Sequence, residues 1–416
     1  MVSSSKALTS SRKTLLLILA IIGPGLVVML ADTDAGSIIT AAQSGAIWGY
    51  KLLALQLLLV PILFITQELT VRLGLITGMG HGELIKQQFG SRWAWLSVGT
   101  LLISCIGAII TELSGVAGAG TLFGIPPAVS AFAVVIFLIV IAWTGTYRSV
   151  ERVALFIGAF ELVFLYVAWQ AEPSLTEIKQ GFVMLPWRDP NYLYLAAANI
   201  GAVVMPWMIF FQQSALLDKG LNSKHLTITR WDTLIGALIT QLVMIAVLVI
   251  TAATIDRNHA GISLNTVSEI SDAITPTLGE TAGRLLFALG ITGAALVAAI
   301  VVSLTAAWGL GEITGYRRSL QDRPKDAPWF YATYTATLIV GGLIVSSGVN
   351  LVNLSVAVEV MNALLLPIVL GFLYLLARRA LPDLYRLKGF YGVVVAVSLF
   401  VTSIFGLCAG IWGSFI

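Results

Sequence analysis

Charged residues, cysteines and histidines are scarce in this 416-residue chain. Only 11% of the residues are charged, whereas 58% are hydrophobic, and the mean hydropathy is +0.92. This composition excludes a water-soluble domain and indicates a polytopic membrane protein. The two cysteines, Cys105 and Cys408, lie in apolar stretches without a CxxC or Cys/His spacing. They are predicted to be small core residues, which argues against a disulfide or a zinc site.

Motifs of common enzymes are also absent. The sequence contains no HExxH or GxSxG, and Asp32 and Asp34 are too close in the chain for a convincing protease dyad. We therefore expect neither an enzyme nor a bound cofactor.

Eleven apolar stretches are long enough to cross about 30 Å of hydrocarbon. The predicted spans are 14–46, 49–77, 93–120, 127–146, 150–171, 192–218, 231–255, 283–310, 329–348, 353–377 and 389–413. No hydrophilic stretch is long enough for a soluble domain, so residues 1–416 are expected to form one transmembrane domain in the lipid bilayer. Outer loops with short helices are predicted near 172–191 and 256–282.

The distribution of basic residues predicts the orientation. With residues 1–13 inside, nineteen of the 24 Lys and Arg residues fall at cytoplasmic ends, and only Lys51, Lys179, Arg188, Arg257 and Arg284 fall outside. This asymmetry predicts a cytoplasmic N-terminus and, with eleven spans, an extracellular C-terminus in the cell membrane. The net charge of +3 therefore indicates topology and no nucleic-acid partner.

Two polar interruptions occur at corresponding places in the two halves, at residues 31–37 and 201–207. Helices broken at bilayer depth expose carbonyls and half-helix ends that replace water around an ion. We therefore predict an inverted repeat of residues 14–171 and 192–377, with broken spans 1 and 6 and an added helix at 389–413. The substrate site is predicted between the two breaks.

Several stretches resemble the Nramp (natural resistance-associated macrophage protein) divalent-metal transporters. Asp34-Ala35-Gly36-Ser37, followed by Gln43-Ser44-Gly45 and Gly49-Tyr50, is similar to their Asp-Pro-Gly-Asn region. Further similar stretches are Gln67-Glu68-Leu69, Arg72-Leu73-Gly74, Thr77-Gly78, Glu83-Leu84-Ile85, Thr111-Glu112 with Gly115, Glu151-Arg152, Gly201-Ala202 with Met205-Pro206, and residues 286–290. The resemblance implies an all-α LeuT-type fold, with the metal held between the unwound spans 1 and 6.

The chain departs from that family at positions near the implied site. Ala35 and Ser37 replace Pro and Asn, Trp207 and Met208 replace His and Asn, and Ile109 replaces a span-3 Asp. Glu359 stands where the family has Gln. The changes remove groups associated with proton coupling and add an anionic oxygen, which resembles the Nramp-related magnesium transporter branch.

The candidate metal ligands combine this resemblance with the chemistry of the breaks. They are Asp34, Ser37, Met205 and Glu359, together with the carbonyl oxygens of Ala31 and Ala202. An ionisable group at the bilayer centre needs an ion, a partner or water to compensate its charge. Carboxylate oxygens suit magnesium or manganese, whereas the Met205 thioether suits later transition metals, so Met205 is expected to line the site without needing to bind the ion.

Other roles stay open for several of these residues. Asp34 could pair structurally, Ser37 could be a helix N-cap, and Glu359 could be a protonated acid bonded to Asn362. Asp32 is expected to face elsewhere or to line the aqueous approach, and Glu112 to make a structural contact or to mark a former proton path. Glu68 and Arg72, four residues apart, are expected to form a pair or part of an inner gate.

These features predict a transporter that moves Mg²⁺, and also Mn²⁺, into the cell by alternating access. All three histidines, His81, His225 and His259, fall in predicted loops, which disfavours proton coupling. The alternatives are a proton-coupled Mn²⁺/Fe²⁺ symporter and, more remotely, a LeuT-type symporter of an organic solute. The oligomeric state stays open, and a monomer is compatible with the sequence.

Overall fold

The computed structural model describes residues 23–183, 185–255, 263–275 and 279–414. Within these ranges the first half of the chain forms helices α1 Pro24–Asp32, α2 Ala35–Trp48, α3 Leu53–Thr77, α4 His81–Phe89, α5 Ser91–Thr121, α6 Pro127–Thr144, α7 Tyr147–Gly158, α8 Val163–Gln170 and α9 Leu175–Val183. The second half forms α10 Pro190–Val203, α11 Pro206–Asp218, α12 Leu226–Thr254, α13 Val267–Ile274, α14 Glu280–Thr314, α15 Pro328–Val345, α16 Leu351–Arg379 and α17 Gly389–Gly413.

The described chain is all-helical, and ten of its helical stretches are long and apolar enough to cross a membrane. The sequence predicted eleven spans. The difference arises at the first break, which leaves α1 with only nine residues, while α2 continues through a 3₁₀ turn into α3 as one apolar stretch, Ala35–Thr77. The predicted start of span 1, residues 14–22, lies outside the described residues.

Short helices outside the spans are found in both predicted outer loops. Helix α9 follows the first five spans, and α13 lies between the long helices α12 and α14. The apolar side of α13 is buried, and the amide of Gln43 on α2 bonds both the N–H and the carbonyl of Leu264 just before it. Leu264, just before α13, is thereby joined to the second half of the first broken helix.

The two cysteines occupy different environments. Cys105 on α5 is buried, as the sequence predicted. Cys408 on α17 is exposed, so the prediction that it is a core residue was wrong. The reason is that an apolar helix at the edge of a membrane bundle can turn apolar residues toward lipid, which hydropathy alone does not distinguish from the core.

Ion pairs gather residues that the sequence assigned to cytoplasmic ends. Arg72 and Arg230 both contact the Glu68 carboxylate at 2.6 Å, which confirms the expected pairing of Glu68 with Arg72 and adds a second arginine from α12. Lys219 contacts Glu151 at 2.8 Å. Because these pairs join α3, α7 and the starts and ends of second-half helices, they bind one end of the bundle together.

His81 was expected in a loop, but it is the first residue of α4 and is fully buried. Its ring packs edge-on against Phe210, and its Nδ1 lies 3.3 Å from the Gln213 side-chain oxygen. Burial lowers the pKa of His81 to about 4. His225 lies in a 3₁₀ turn before α12, and His259 lies outside the described residues.

His81 predicts a specific acid sensitivity. An unfolded histidine titrates near pH 6.5, so its contribution to stability is complete above that value and is lost as the pH falls toward about 4. The expected total loss is about 3 kcal/mol. Thermal unfolding of the detergent-solubilised protein, measured from about pH 8 to about pH 4.5, checks this. In the variant His81→Gln the fall should be shallower, and equal pH slopes in both proteins would contradict the prediction.

Candidate metal centre

The first break lies between α1 and α2, at Thr33 and Asp34. Asp34 has an extended backbone, and its Oδ1 accepts a hydrogen bond of 2.6 Å from the Ser37 N–H. Aspartate is among the preferred residues for this N-cap position. Asp34, and not Ser37, therefore caps α2, while Asp34 Oδ2 is buried without a hydrogen-bond partner.

The second break lies between α10 and α11, at Val204 and Met205. Pro206 occupies the first turn of α11, where its missing N–H costs nothing. In a continuous helix the N–H four residues after Ala202 would bond the Ala202 carbonyl, but that residue is Pro206. The carbonyl instead accepts the Ser37 hydroxyl at 2.9 Å. The two breaks are thus in direct contact.

The Ala31 carbonyl is freed by a different contact. In an unbroken helix it would accept the Ala35 N–H, but that N–H is donated to Glu112 Oε2 at 3.1 Å. The other Glu112 oxygen accepts the Thr111 hydroxyl at 3.2 Å. Glu112 therefore makes the structural contact that was one of its two expected roles, and it holds the start of α2 against α5.

Glu359 reaches the first break from α16. Its Oε2 accepts from the Asn362 side chain at 3.1 Å, and the Asn362 oxygen accepts the Ser104 hydroxyl at 2.7 Å. Its Oε1 is buried without a hydrogen-bond partner. The expected bond to Asn362 is therefore present, and it leaves the other carboxylate oxygen of Glu359 available to bind a cation.

Glycines permit the close approach of these groups. A Cβ on Gly36 would overlap Glu359 Oε1 and lie 3.4 Å from Asp34 Oδ1. A Cβ on Gly201 would overlap the Glu359 carbonyl oxygen and lie 2.8 Å from the Ala363 nitrogen. Gly36 brings the carboxylates of Asp34 and Glu359 to the same place, and Gly201 lets the second break pack on α16.

Met205 lies at the second break with its sulfur already engaged. The indole N–H of Trp207 lies 3.0 Å from Met205 Sδ, and both side chains are fully buried. A thioether is a weak acceptor with two lone pairs, so this hydrogen bond engages one of them and competes with a soft metal for the sulfur. Trp207 therefore does more than fill space after the break.

The candidate ligands are enclosed by protein. Ala31, Asp34, Ser37, Ala202, Met205 and Glu359 are all 0% exposed. No group of three or more His, Cys, Asp or Glu side chains arranged to hold a metal was found in the part of the chain that the structure describes. An ion held here would be bound by two carboxylates, carbonyl and hydroxyl oxygens, and retained water, which is a donor set that suits Mg²⁺.

Sequence reasoning missed two buried polar groups, and it left two placements open for a third. Glu161, inside the apolar stretch Ser149–Gln170, is fully buried, and an ionisable residue in a membrane span was a sufficient signal to notice it. The Thr33 hydroxyl is hydrogen-bonded to that of Thr240. Asp32, expected to face elsewhere or to line the aqueous approach, is 1% exposed, and neither of its carboxylate oxygens has a hydrogen-bond partner.

Residues 25–410 match the family described as natural resistance-associated macrophage protein-like. The chain belongs to the Nramp family. A Klebsiella pneumoniae relative named "Divalent metal cation transporter MntH" is 28% identical over 318 residues, which cover 73% of this chain and 75% of that protein. A Yersinia pestis protein of the same name is 27% identical over 314 residues, 72% of this chain and 75% of that protein.

Solved structures agree with this fold. A manganese transporter from Eremococcus coleocola superposes with a TM-score of 0.74, at 19% identity, over 96% of this chain and 88% of that one. MhsT in complex with L-phenylalanine superposes with a TM-score of 0.64, at 13% identity, over 94% of this chain and 98% of that one. The predicted all-α Nramp and LeuT-type fold class is therefore confirmed.

Proposed function

We propose that this Nramp protein moves divalent metal cations into the cell by alternating access, with Mg²⁺ as the preferred cargo and Mn²⁺ as a second. One observation carries the choice of a hard cation. Buried carboxylate oxygens of Asp34 and Glu359 have no hydrogen-bond partner, and the two side chains meet across Gly36, while the nearby Met205 sulfur accepts the Trp207 N–H. The relatives' names support divalent-metal transport and a transporter instead of an enzyme.

The ligand chemistry supports magnesium over a later transition metal. Mg²⁺ prefers oxygen ligands, is bound by one or two carboxylates and keeps several waters. Asp34 and Glu359 supply two carboxylates, and the Ala31 carbonyl and the Ser37 hydroxyl lie at the same break. A soft metal would gain from the Met205 thioether, but it would have to compete with the Trp207 N–H that the sulfur accepts.

Transport without proton coupling is part of this proposal. Trp207 and Ile109 stand where the family's His and Asp are expected. Among the described membrane spans, the single histidine is His225, which lies in the 3₁₀ turn before α12. A divalent cation gains about 4.6 kcal/mol per 100 mV of inside-negative potential. That energy alone supports accumulation of more than about a thousandfold, so protons are not required.

The cation enters from outside between the first and sixth spans, and rocking of these spans opens the inner side. In this proposal residues 1–416 form one domain, made of the repeats 14–171 and 192–377 and the added helix 389–413. The N-terminus is cytoplasmic and the C-terminus extracellular. The ion pairs around Glu68 then lie at the cytoplasmic end, where they close the inner side in the enclosed state described here.

The test is Mg²⁺ uptake into proteoliposomes of the purified protein under an imposed inside-negative potential, with a magnesium dye and a pH dye read in parallel. We expect Mg²⁺ entry that rises with the potential and no acidification. Liposomes without protein, and proteoliposomes without a potential, are the controls. Manganese entry with acidification and no Mg²⁺ entry would replace the proposal by the proton-coupled Mn²⁺/Fe²⁺ symporter. Sodium-dependent uptake of an organic solute would select the LeuT-type symporter of an organic solute.

A further inference from the structure

An apolar groove lies between α16 and α17, and none of the residues that line it belongs to the proposed metal site. Its volume is about 530 Å³, and it is lined by Pro367, Gly371 and Tyr374 of α16 and by Val397 and Phe400 of α17, among others. Both helices are long and apolar enough to cross a membrane. Since Val397 and Phe400 are 56% and 66% exposed, the groove opens toward the hydrocarbon of the bilayer.

Gly371 keeps this groove open. It lies inside α16, where glycine is a poor helix former. Some glycines of the bundle are needed for close contact between helices, as Gly201 is. A Cβ built on Gly371, however, would meet no atom within 4 Å. No contact within the described protein therefore requires a glycine here, and the missing side chain leaves room for another molecule.

A basic residue stands one helical turn beyond the groove. Arg378 follows Tyr374 by four residues, so the two side chains lie on one face of α16. The Arg378 Nη1 donates to the Tyr374 hydroxyl at 3.3 Å. Arg378 is exposed, and it forms no ion pair with a carboxylate among the described residues. Tyr374 thus connects the apolar groove to a cation whose charge is not neutralised by the protein.

The segment that connects α16 to α17 has the character of a membrane surface. Residues 378–388 contain four basic residues and one acidic residue, Asp383, whose carboxylate is paired within the segment. Leu384 and Phe390 are 84% and 85% exposed. Basic residues beside exposed apolar side chains are typical of chains that lie at the lipid headgroups. The Arg378 end of the groove is therefore the end at which headgroup phosphates are found.

We propose that this groove binds one anionic phospholipid, with an acyl chain along Gly371 and the phosphate at Arg378. The helix from Pro367 to Tyr374 rises about 10 Å, which is most of one leaflet's share of the ~30 Å hydrocarbon core. A guanidinium binds phosphate oxygens through parallel hydrogen bonds. Because the segment after α16 is basic, it favours a lipid with net negative charge over a zwitterionic one.

The test is native mass spectrometry of the detergent-solubilised protein, titrated with phosphatidylglycerol or with phosphatidylcholine of the same acyl chains. We expect the first phosphatidylglycerol to bind the wild type at least about fivefold more tightly than phosphatidylcholine. Gly371→Leu fills the groove and should weaken phosphatidylglycerol binding by about tenfold or more, since each buried methylene adds to lipid affinity. Arg378→Gln should weaken it by about fivefold and leave phosphatidylcholine binding unchanged.

Matched control variants carry the same changes away from the groove. A Cβ on Gly99, inside α5, also meets no atom within 4 Å, and Arg323 is exposed and does not line the groove. Gly99→Leu and Arg323→Gln should therefore bind phosphatidylglycerol as the wild type does. Gly371→Leu should be at least as thermally stable as the wild type, because leucine is the better helix former and no atom obstructs its Cβ.

Three results would overturn the proposal. The first is equal binding of the two lipids to the wild type. The second is unchanged phosphatidylglycerol binding in either Gly371→Leu or Arg378→Gln, because the proposal needs both the groove and the guanidinium. The third is a wild-type dimer that retains no lipid and that Gly371→Leu dissociates, which would assign the groove to a second copy of the chain. None of these measurements involves the transported ion, so the proposed function can fail separately.

Discussion

Replacing Asp34 by alanine is expected to lower potential-driven Mg²⁺ uptake by roughly 100-fold or more. Loss of groups that only support a metal ligand costs about 10–100-fold, and Asp34 is proposed as a ligand itself. The variant also loses the cap on the Ser37 N–H, which costs about 1 kcal/mol of stability. Uptake is measured in proteoliposomes at matched amounts of monodisperse protein.

The matched control separates the cap from the ligand. Asp34→Asn keeps a side-chain oxygen that can accept the Ser37 N–H, but it removes the negative charge. Its thermal stability should therefore approach that of the wild type, while its uptake stays as low as that of Asp34→Ala. Uptake by Asp34→Asn within about threefold of wild type would show that metal binding does not need the Asp34 carboxylate, and it would favour a structural role for this residue.

The sequence predicted the features that depend on local chemistry. Pro206 and the polar run around Asp34 predicted two broken helices, and both breaks are found at these residues. The family resemblance predicted the fold. The ion pair between Glu68 and Arg72 followed from their spacing of four residues on one helix. The role of the six candidate residues as metal ligands stays a prediction.

Other features could not be predicted because they depend on contacts between distant segments. The hydrogen bond from Ser37 to the Ala202 carbonyl joins residues 165 positions apart, and the approach of Glu359 to Gly36 requires α16 to pack on the first break. The cap was assigned to Ser37 as one alternative, although Asp34 supplies it, because both residue types are good caps and only the backbone distinguishes them. Hydropathy likewise did not tell whether the side chain of Cys408 faces the core or the lipid.

Trp207→Phe is expected to shift metal preference toward soft cations. Phenylalanine keeps an aromatic ring at this position but cannot donate to Met205 Sδ, so the thioether becomes free to bind a metal. Since one hydrogen bond is worth about 1 kcal/mol, the Cd²⁺-to-Mg²⁺ uptake ratio should rise by roughly five- to tenfold. The measurement is competition of Cd²⁺ against Mg²⁺ uptake in proteoliposomes.

A double-mutant cycle with Met205→Ala identifies the sulfur as the cause. Without a thioether, Trp207→Phe has no ligand to release, so the change in the Cd²⁺-to-Mg²⁺ ratio should disappear in the double variant. If the ratio still rises in the Met205→Ala background, the effect comes from cavity size and the indole does not control selectivity. If it rises only when Met205 is present, the indole N–H is what keeps a soft ligand from binding the ion, and the site selects hard cations despite retaining methionine.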